Sequence, residues 1–286
     1  MTRRGDAPES GTLSAMGRNQ PSPDAHPATD PEADPAPVLV TGCAGNLGRA
    51  AVAGLRAAGR AVRGLDRVPH PDLDPQWVGD LNDRDAVNHA VAGCGAVVHL
   101  AGQPDPGRPF DELLDANLRG FHTVLDAAVE AGVGRVVFAS SAQTVANCDH
   151  RPLTAGDCGP LNAYALMKLW AEELGRFTAA RRGIAFLAVR IGWTPPDRYT
   201  LERIGATDHG RQLYLSHGDA GRFFALAADA DAGPPAGGAA VVYAVSRGDG
   251  EQTAFDLKPA GELIGYVPRD VFPEGLAEHV VSADSD

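Results

Sequence analysis

From Val38 to Val245 the chain repeats one unit: a short, uninterrupted apolar run, a turn, then a longer stretch with helical spacing. Runs that are apolar at every position belong to strands covered on both faces, as in a parallel sheet with helices on either side. Val38-Leu39-Val40, Ala61 to Leu65, Trp77-Val78, Ala96 to Leu100, Arg135 to Ala139, Ile184 to Arg190 and Val241 to Val245 read as strands. Leu47 to Ala58, stopped by Gly59, Asp83 to Val91, Phe110 to Ala131 and Leu161 to Arg181 read as helices. The predicted fold is therefore α/β: a doubly wound Rossmann-type parallel sheet with a small C-terminal substrate-binding region.

The pattern also sets the boundaries. Residues 1–36 are rich in Pro, Asp, Ala and Ser with few large apolar side chains, and are expected to form a disordered tail. Residues 37–276 are expected to form the catalytic domain, with substrate-binding elements mainly after 191, and 277–286 to fray. Arg3-Arg4 has no apolar run behind it, and no stretch approaches the roughly 18 apolar residues of a membrane span, so a cytoplasmic protein is expected. The four cysteines form no CxxC pair and no metal-ligand spacing, which suits a reduced compartment and argues against a bound metal. A net charge of −12 disfavours nucleic acid and anionic membrane as partners. It leaves a small polar molecule as partner and is compatible with a homo-oligomer.

The first strand runs into Thr41-Gly42-Cys43-Ala44-Gly45-Asn46-Leu47-Gly48. Glycines in a strand–turn–helix context let the backbone turn sharply and approach a pyrophosphate, while the helix start aims free N–H groups at the phosphates. Asp66, about 20 residues on, ends the second strand where an acid binds ribose hydroxyls and repels a 2′-phosphate. This points to NAD, although Arg67 beside it would counter that repulsion, and a turn aspartate would look the same. Asp80-Leu81 follows the third strand, where the acid either contacts the adenine or caps a turn.

Tyr164 and Lys168 stand at i and i+4, on one face of a helix. A free phenol is a poor base at neutral pH, and an adjacent ammonium together with an oxidised nicotinamide favours the phenolate. With five Tyr and two Lys in the chain, about 0.035 such pairs are expected by chance. The chain holds 23 arginines and keeps a lysine here, where a bulkier planar guanidinium would serve poorly. Ser140 or Ser141, ending the fifth strand, would hydrogen-bond the substrate oxygen; we place Ser141 with Tyr164 and Lys168 as the catalytic set.

With these motifs the chain resembles the extended short-chain dehydrogenases/reductases, the NAD-dependent epimerase/dehydratase group. The matching strings continue through His99-Leu100-Ala101-Gly102, Asn117-x-x-Gly120, Phe138-Ala139-Ser140-Ser141, Arg190-Ile191-Gly192 and Leu263-Ile264-Gly265-Tyr266-x-Pro268. The resemblance implies NAD contacts from Gly42, Gly45, Asn46, Leu47, Gly48, Asp66, Asp80, Leu81, Leu100, Ala101, Gly102, Asn117, Ser140, Tyr164 and Lys168. Within the group the chain looks most similar to uronate dehydrogenases, which oxidise the anomeric carbon of hexuronic acids. Arg190-Ile191-Gly192-x-Thr194-Pro195 and Ser216-His217-Gly218-Asp219 carry that likeness. Those enzymes have Asn-His after the second serine, where this chain has Ala142-Gln143, and an Arg directly after a Tyr, where Tyr199 precedes Thr200. Gln103, Ser141, Ala142, Gln143 and Arg198 are the candidate substrate residues, with Arg203 or Arg211 as alternatives to Arg198.

The expected activity is hydride transfer between NAD and a small hydroxyl compound: a sugar, a sugar acid such as a uronate, or a cyclitol. The alternative is a nucleotide-sugar epimerase or dehydratase with tightly bound NAD; a cofactor sensor on the same fold would commonly lose the Tyr or Lys. Fewer than 100 residues follow Arg190, which suggests too little material to enclose a nucleotide diphosphate. His99 reads as a satisfied core residue, and His217 as a residue facing either substrate or core. Trp193 and Tyr199 either line the pocket or pack.

Overall fold

A computed structural model describes residues 35–229, 233–248 and 254–281; the expected tail up to residue 34 and the end from 282 lie outside the described residues. Seven strands form one parallel sheet among the described residues: β1 (Val38–Thr41), β2 (Val62–Asp66), β3 (Gln76–Val78), β4 (Ala96–His99), β5 (Arg135–Ser141), β6 (Ala185–Ile191) and β7 (Ala239–Ala244). Their order is β3-β2-β1-β4-β5-β6-β7, with every pair parallel. The order reverses direction between β1 and β4, and in such sheets ligands bind in the crevice beyond the strand C-termini at that point.

Side-chain alternation divides the core. Val38, Val40, Val98, Val137 and Val189 face one side; Leu39, Val97, Val136 and Phe138 face the other. On the first side lie α1 (Asn46–Ala57) and, later in the chain, α8 (His217–Ala227), contributing Leu55, Phe223 and Phe224. The two helices meet at glycine: a Cβ on Gly54 would lie 2.1 Å from the Gly221 carbonyl oxygen. The second side is covered by α2 (Arg84–Val91), α4 (Gly120–Glu130) and α5 (Ala163–Arg182), while α3 (Phe110–Leu114) packs Leu113 against Tyr164 and Met167 of α5. The Phe121 and Phe138 rings pack in that core at a tilt of 40°, with centroids 4.4 Å apart.

Two segments differ from expectation. The single helix expected over Phe110 to Ala131 is interrupted at Asp115–Arg119 by a wider π-type turn. Such an insertion frequently marks a functional position, and here it holds buried Asn117. The region after 191 contains α6 (Arg198–Gly205), α7 (Asp208–Leu213), α8, α9 (Lys258–Ile264) and α10 (Glu278–Val281). The last of these falls in the stretch expected to fray, and Val280 is buried there.

A buried carboxylate ties this region down. Asp219, in the first turn of α8, accepts from Ser246 Oγ at 2.7 Å, from the Arg269 and Asp270 backbone N–H groups at 2.9 and 3.1 Å, and from Arg222. Carboxylates inside a protein persist when their lone pairs are filled in this way. Among the described residues no helix is long and apolar enough to cross a membrane.

Candidate active site

The glycine turn leaves β1 through Gly42, whose φ of 72° lies in the left-handed region. A Cβ there would sit 2.7 Å from the Ala101 backbone nitrogen, and one on Gly48 would sit 1.9 Å from the Gly42 carbonyl oxygen. Backbone thus occupies the space that side chains would fill, drawing the turn tight against the end of β4. Gly45 is the N-cap of α1 and supplies no side-chain cap, so the helix start keeps N–H groups available for an anion. Asp66, at the end of β2, accepts the Ala44 N–H at 2.9 Å and so locks the turn beside its carboxylate.

The other expected cofactor residues divide into those that face this crevice and those that buttress it. Asn46 Oδ1 accepts from His217 Nε2 at 2.8 Å and its Nδ2 donates to the Thr194 carbonyl at 3.2 Å, so its side chain joins the turn to α8 and the segment after β6. His217 accordingly meets the glycine turn. Leu47 packs on the core, and Leu81 lies under Gly120, where a Cβ would come within 2.9 Å of it. Asp80 accepts from the Asn82 backbone at 2.9 Å, forming a turn ahead of α2, which Asp83 caps. Leu100 and Ala101 hydrogen-bond back to Thr41.

Asn117 donates to the Gln103 and Leu113 carbonyls, both at 3.1 Å, while its buried Oδ1 has no partner. A Cβ on Gly102 would lie 2.6 Å from that oxygen and 3.7 Å from Lys168 Nζ. An unpartnered acceptor, an open helix start, a ribose-side carboxylate and a turn built without side chains together fit a dinucleotide.

His99, at the end of β4, is fully buried and hydrogen-bonds Thr41 Oγ1 at 2.9 Å through Nδ1, leaving Nε2 without a partner. Burial, with the Lys168 charge, pushes its pKa down to about 3, so it is neutral.

Tyr164, Lys168 and Ser141 converge at the C-terminal ends of β5 and α5's first turns. Lys168 is 4% exposed and donates to the Ala139 carbonyl at 2.9 Å. Its Nζ stands 4.9 Å from the Phe138 ring centre and 5.5 Å from that of Tyr164. Burial brings its pKa down to about 8, against the opposing pull of Glu172. Burial raises the Tyr164 phenol, while a hydrogen bond with Ser141 lowers it. In the protein alone burial outweighs that hydrogen bond; the lowering expected from the ammonium together with an oxidised nicotinamide concerns the complex.

Two parts of the site escaped the sequence reading. Glu172, one turn beyond Lys168, accepts from Ser140 Oγ and from both Nε and Nη2 of Arg190, at 3.0 and 2.9 Å. Ser140 therefore points into this buried ion pair, and of the two serines it is Ser141 that meets Tyr164. The signal was the same i, i+4 spacing: a carboxylate on the otherwise apolar face of Ala165, Ala171 and Gly175. Asn162, the second, caps α5 and hydrogen-bonds Gln143.

On the expected substrate side, Ala142 is buried and Gln143 half-buried in the 3-10 turn Ala142–Val145. Gln103 accepts the Asp105 N–H at 3.1 Å. Arg198 is half-exposed at the start of α6, 3.9 Å from Glu202. Arg203 lies over the Trp193 and Tyr199 rings, and Arg211 holds the Gly205 carbonyl at 2.6 Å together with Asp208. Among the described residues no three His, Cys, Asp or Glu side chains group as a metal site.

Comparison with known proteins gives consistent matches. The pattern of the NAD dependent epimerase/dehydratase family matches residues 38–193. The chain is 30% identical to the NAD-dependent glucose-6-phosphate dehydrogenase of Haloferax volcanii, over 82% of this chain and 93% of that protein. It is 31% identical to the uronate dehydrogenase of Pseudomonas syringae pv. tomato, over 87% and 88%. It superposes with a TM-score of 0.70 on MoeE5 in complex with UDP-glucuronic acid and NAD, at 27% identity, covering 86% of this chain and 98% of that one. That last match corrects the argument from size: a chain of this extent accommodates a nucleotide sugar.

Proposed function

The chain belongs to the NAD-dependent epimerase/dehydratase family, and from that premise we propose that it is an NAD-dependent dehydrogenase of a small sugar or sugar acid, oxidising the anomeric hydroxyl. The observation that carries this reading is the convergence of Tyr164 and Ser141 in front of a buried Lys168. Asp66, the glycine turn, Asn117 and Lys168 would hold NAD, which when bound supplies the hydride acceptor. Tyr164 Oη would take the hydroxyl proton as general base. Ser141 Oγ accepts the Gln143 N–H at 3.2 Å, and its single proton, given to Tyr164 in the protein alone, would turn to the substrate oxygen and steady it. Because burial holds the phenol protonated in the protein alone, proton acceptance needs the full charge of the Lys168 ammonium beside it.

Sugars, uronic acids and sugar phosphates offered with NAD should give steady NADH for at least one of them. Tyr164→Phe should abolish that turnover and keep NAD binding, since the phenol oxygen is lost and the ring's packing survives. Wild-type turnover in the Phe variant would refute the assignment. A second reading follows from the MoeE5 match: reaction of nucleotide sugars alone, without net NADH, would mark an epimerase that regenerates its cofactor.

A further inference from the structure

Given that reading of the site, we infer that the cap of the catalytic helix fixes the polarity of Gln143, so that this position offers only hydrogen-bond donors to the substrate. Asn162 has the extended backbone of an N-cap, φ −150° and ψ 175°, and its side chain lies 2.9 Å from the Ala165 nitrogen. A backbone N–H can only donate, so the atom facing it is Oδ1. The other end of the Asn162 amide is then an NH2, with no lone pair to give. It lies 2.8 Å from Gln143, and the Gln143 atom that meets it must be Oε1. Turning the Gln143 amide over would set two NH2 groups face to face between half-buried side chains.

Gln143 is held at its backbone as well, through its N–H to Ser141 Oγ. Its remaining group, Nε2, is a donor pair on a half-buried side chain two residues after Ser141, in the turn that Asn162 ties to the start of the helix carrying Tyr164. A sugar bound with its reacting hydroxyl at Tyr164 therefore meets a donor at this point. The position selects an acceptor oxygen on the substrate: the ring oxygen, or a carboxylate or phosphate oxygen of an acidic sugar. Asn162 touches no substrate and is a positioning residue.

Two single substitutions and their combination test this, with Gln143→Leu as the apolar comparison. Gln143→Glu keeps an inward oxygen that accepts from Asn162, but presents an acceptor outward. Asn162→Asp still caps the helix, as aspartate does well, but offers a second acceptor and so turns the Gln143 oxygen outward. Each single variant should melt within about 3 °C of wild type, and each should raise the sugar KM roughly tenfold, the loss of about one hydrogen bond. The double variant opposes two carboxylates and should lose more in melting temperature at neutral pH than the two singles together, recovering near pH 4 as one is protonated.

Equal KM rises for neutral and acidic sugars identify the ring oxygen as the accepted group; a larger rise for acidic sugars in Gln143→Glu identifies the anionic group. An unchanged KM in Gln143→Glu overturns the specificity role. A fall in melting temperature for Gln143→Glu as large as for Gln143→Leu overturns the polarity itself. If the wild type turns over no sugar, the proposed function and the specificity role fall together, while the melting comparison still decides the polarity.

Discussion

Lysine 168 is placed where its charge costs stability, and replacing it exposes the size of that cost. The ammonium is 4% exposed, and burial brings its pKa from the ordinary 10.5 to about 8. That gap corresponds to a penalty of about 3 kcal/mol on the charged form in the folded protein. Below pH 8 the lysine is protonated both folded and unfolded, so the whole penalty is present. As pH rises through about 8 the folded state sheds its proton first and the penalty fades, vanishing above the unfolded value near 10.5. By about pH 9.5 only about 1 kcal/mol of it remains. Lys168→Met removes the charge, keeps most of the volume and also removes the donor to the Ala139 carbonyl, a loss that does not vary with pH. The variant's melting temperature relative to wild type should therefore be higher at about pH 7 than at about pH 9.5 by the equivalent of about 2 kcal/mol, roughly 4–8 °C for a domain of this size. Differential scanning fluorimetry of both proteins in matched buffers reads this directly, since titrating groups away from Lys168 cancel. Activity should be lost in the variant at both values. A melting difference that stays constant between the two conditions would show that Lys168 is not desolvated as placed here.

Asp66→Ala should narrow the preference for NAD over NADP, because the carboxylate at the end of β2 repels a 2′-phosphate; cofactor titration showing wild type preferring NADP would mean that Arg67 dominates. Asp219→Ala should cost roughly 3 kcal/mol, since it strips the acceptor from Ser246, Arg222 and the Arg269 and Asp270 backbone at once. Chemical denaturation measures it, and a loss under about 1 kcal/mol would show that water replaces the carboxylate without difficulty.

The sequence by itself determined what depends on local chemistry and period. Uninterrupted apolar runs such as Val38-Leu39-Val40 specify strands covered on both faces, and the observed burial of every β1 residue follows from that. The glycine turn was legible because a Cβ is forbidden at Gly42 and Gly48 by backbone that is near in sequence or one strand away. Tyr164 and Lys168 were legible because one helix carries both at a fixed spacing. What only the tertiary structure decided were partnerships between distant segments. Glu172 finds Arg190 only because β6 lies beside β5 and beneath α5. The two serines are adjacent in sequence, yet Ser140 turns to Glu172 and Ser141 to Tyr164, because neighbouring residues of a strand point to opposite faces. The wider turn around Asn117 was hidden, since nothing in Asp115-Ala116-Asn117-Leu118-Arg119 distinguishes a wider turn from an ordinary one. Desolvation was hidden for the same reason: Tyr164 and Lys168 advertise a charged pair by their spacing, whereas the water that burial removes from both is set by every element packed around them.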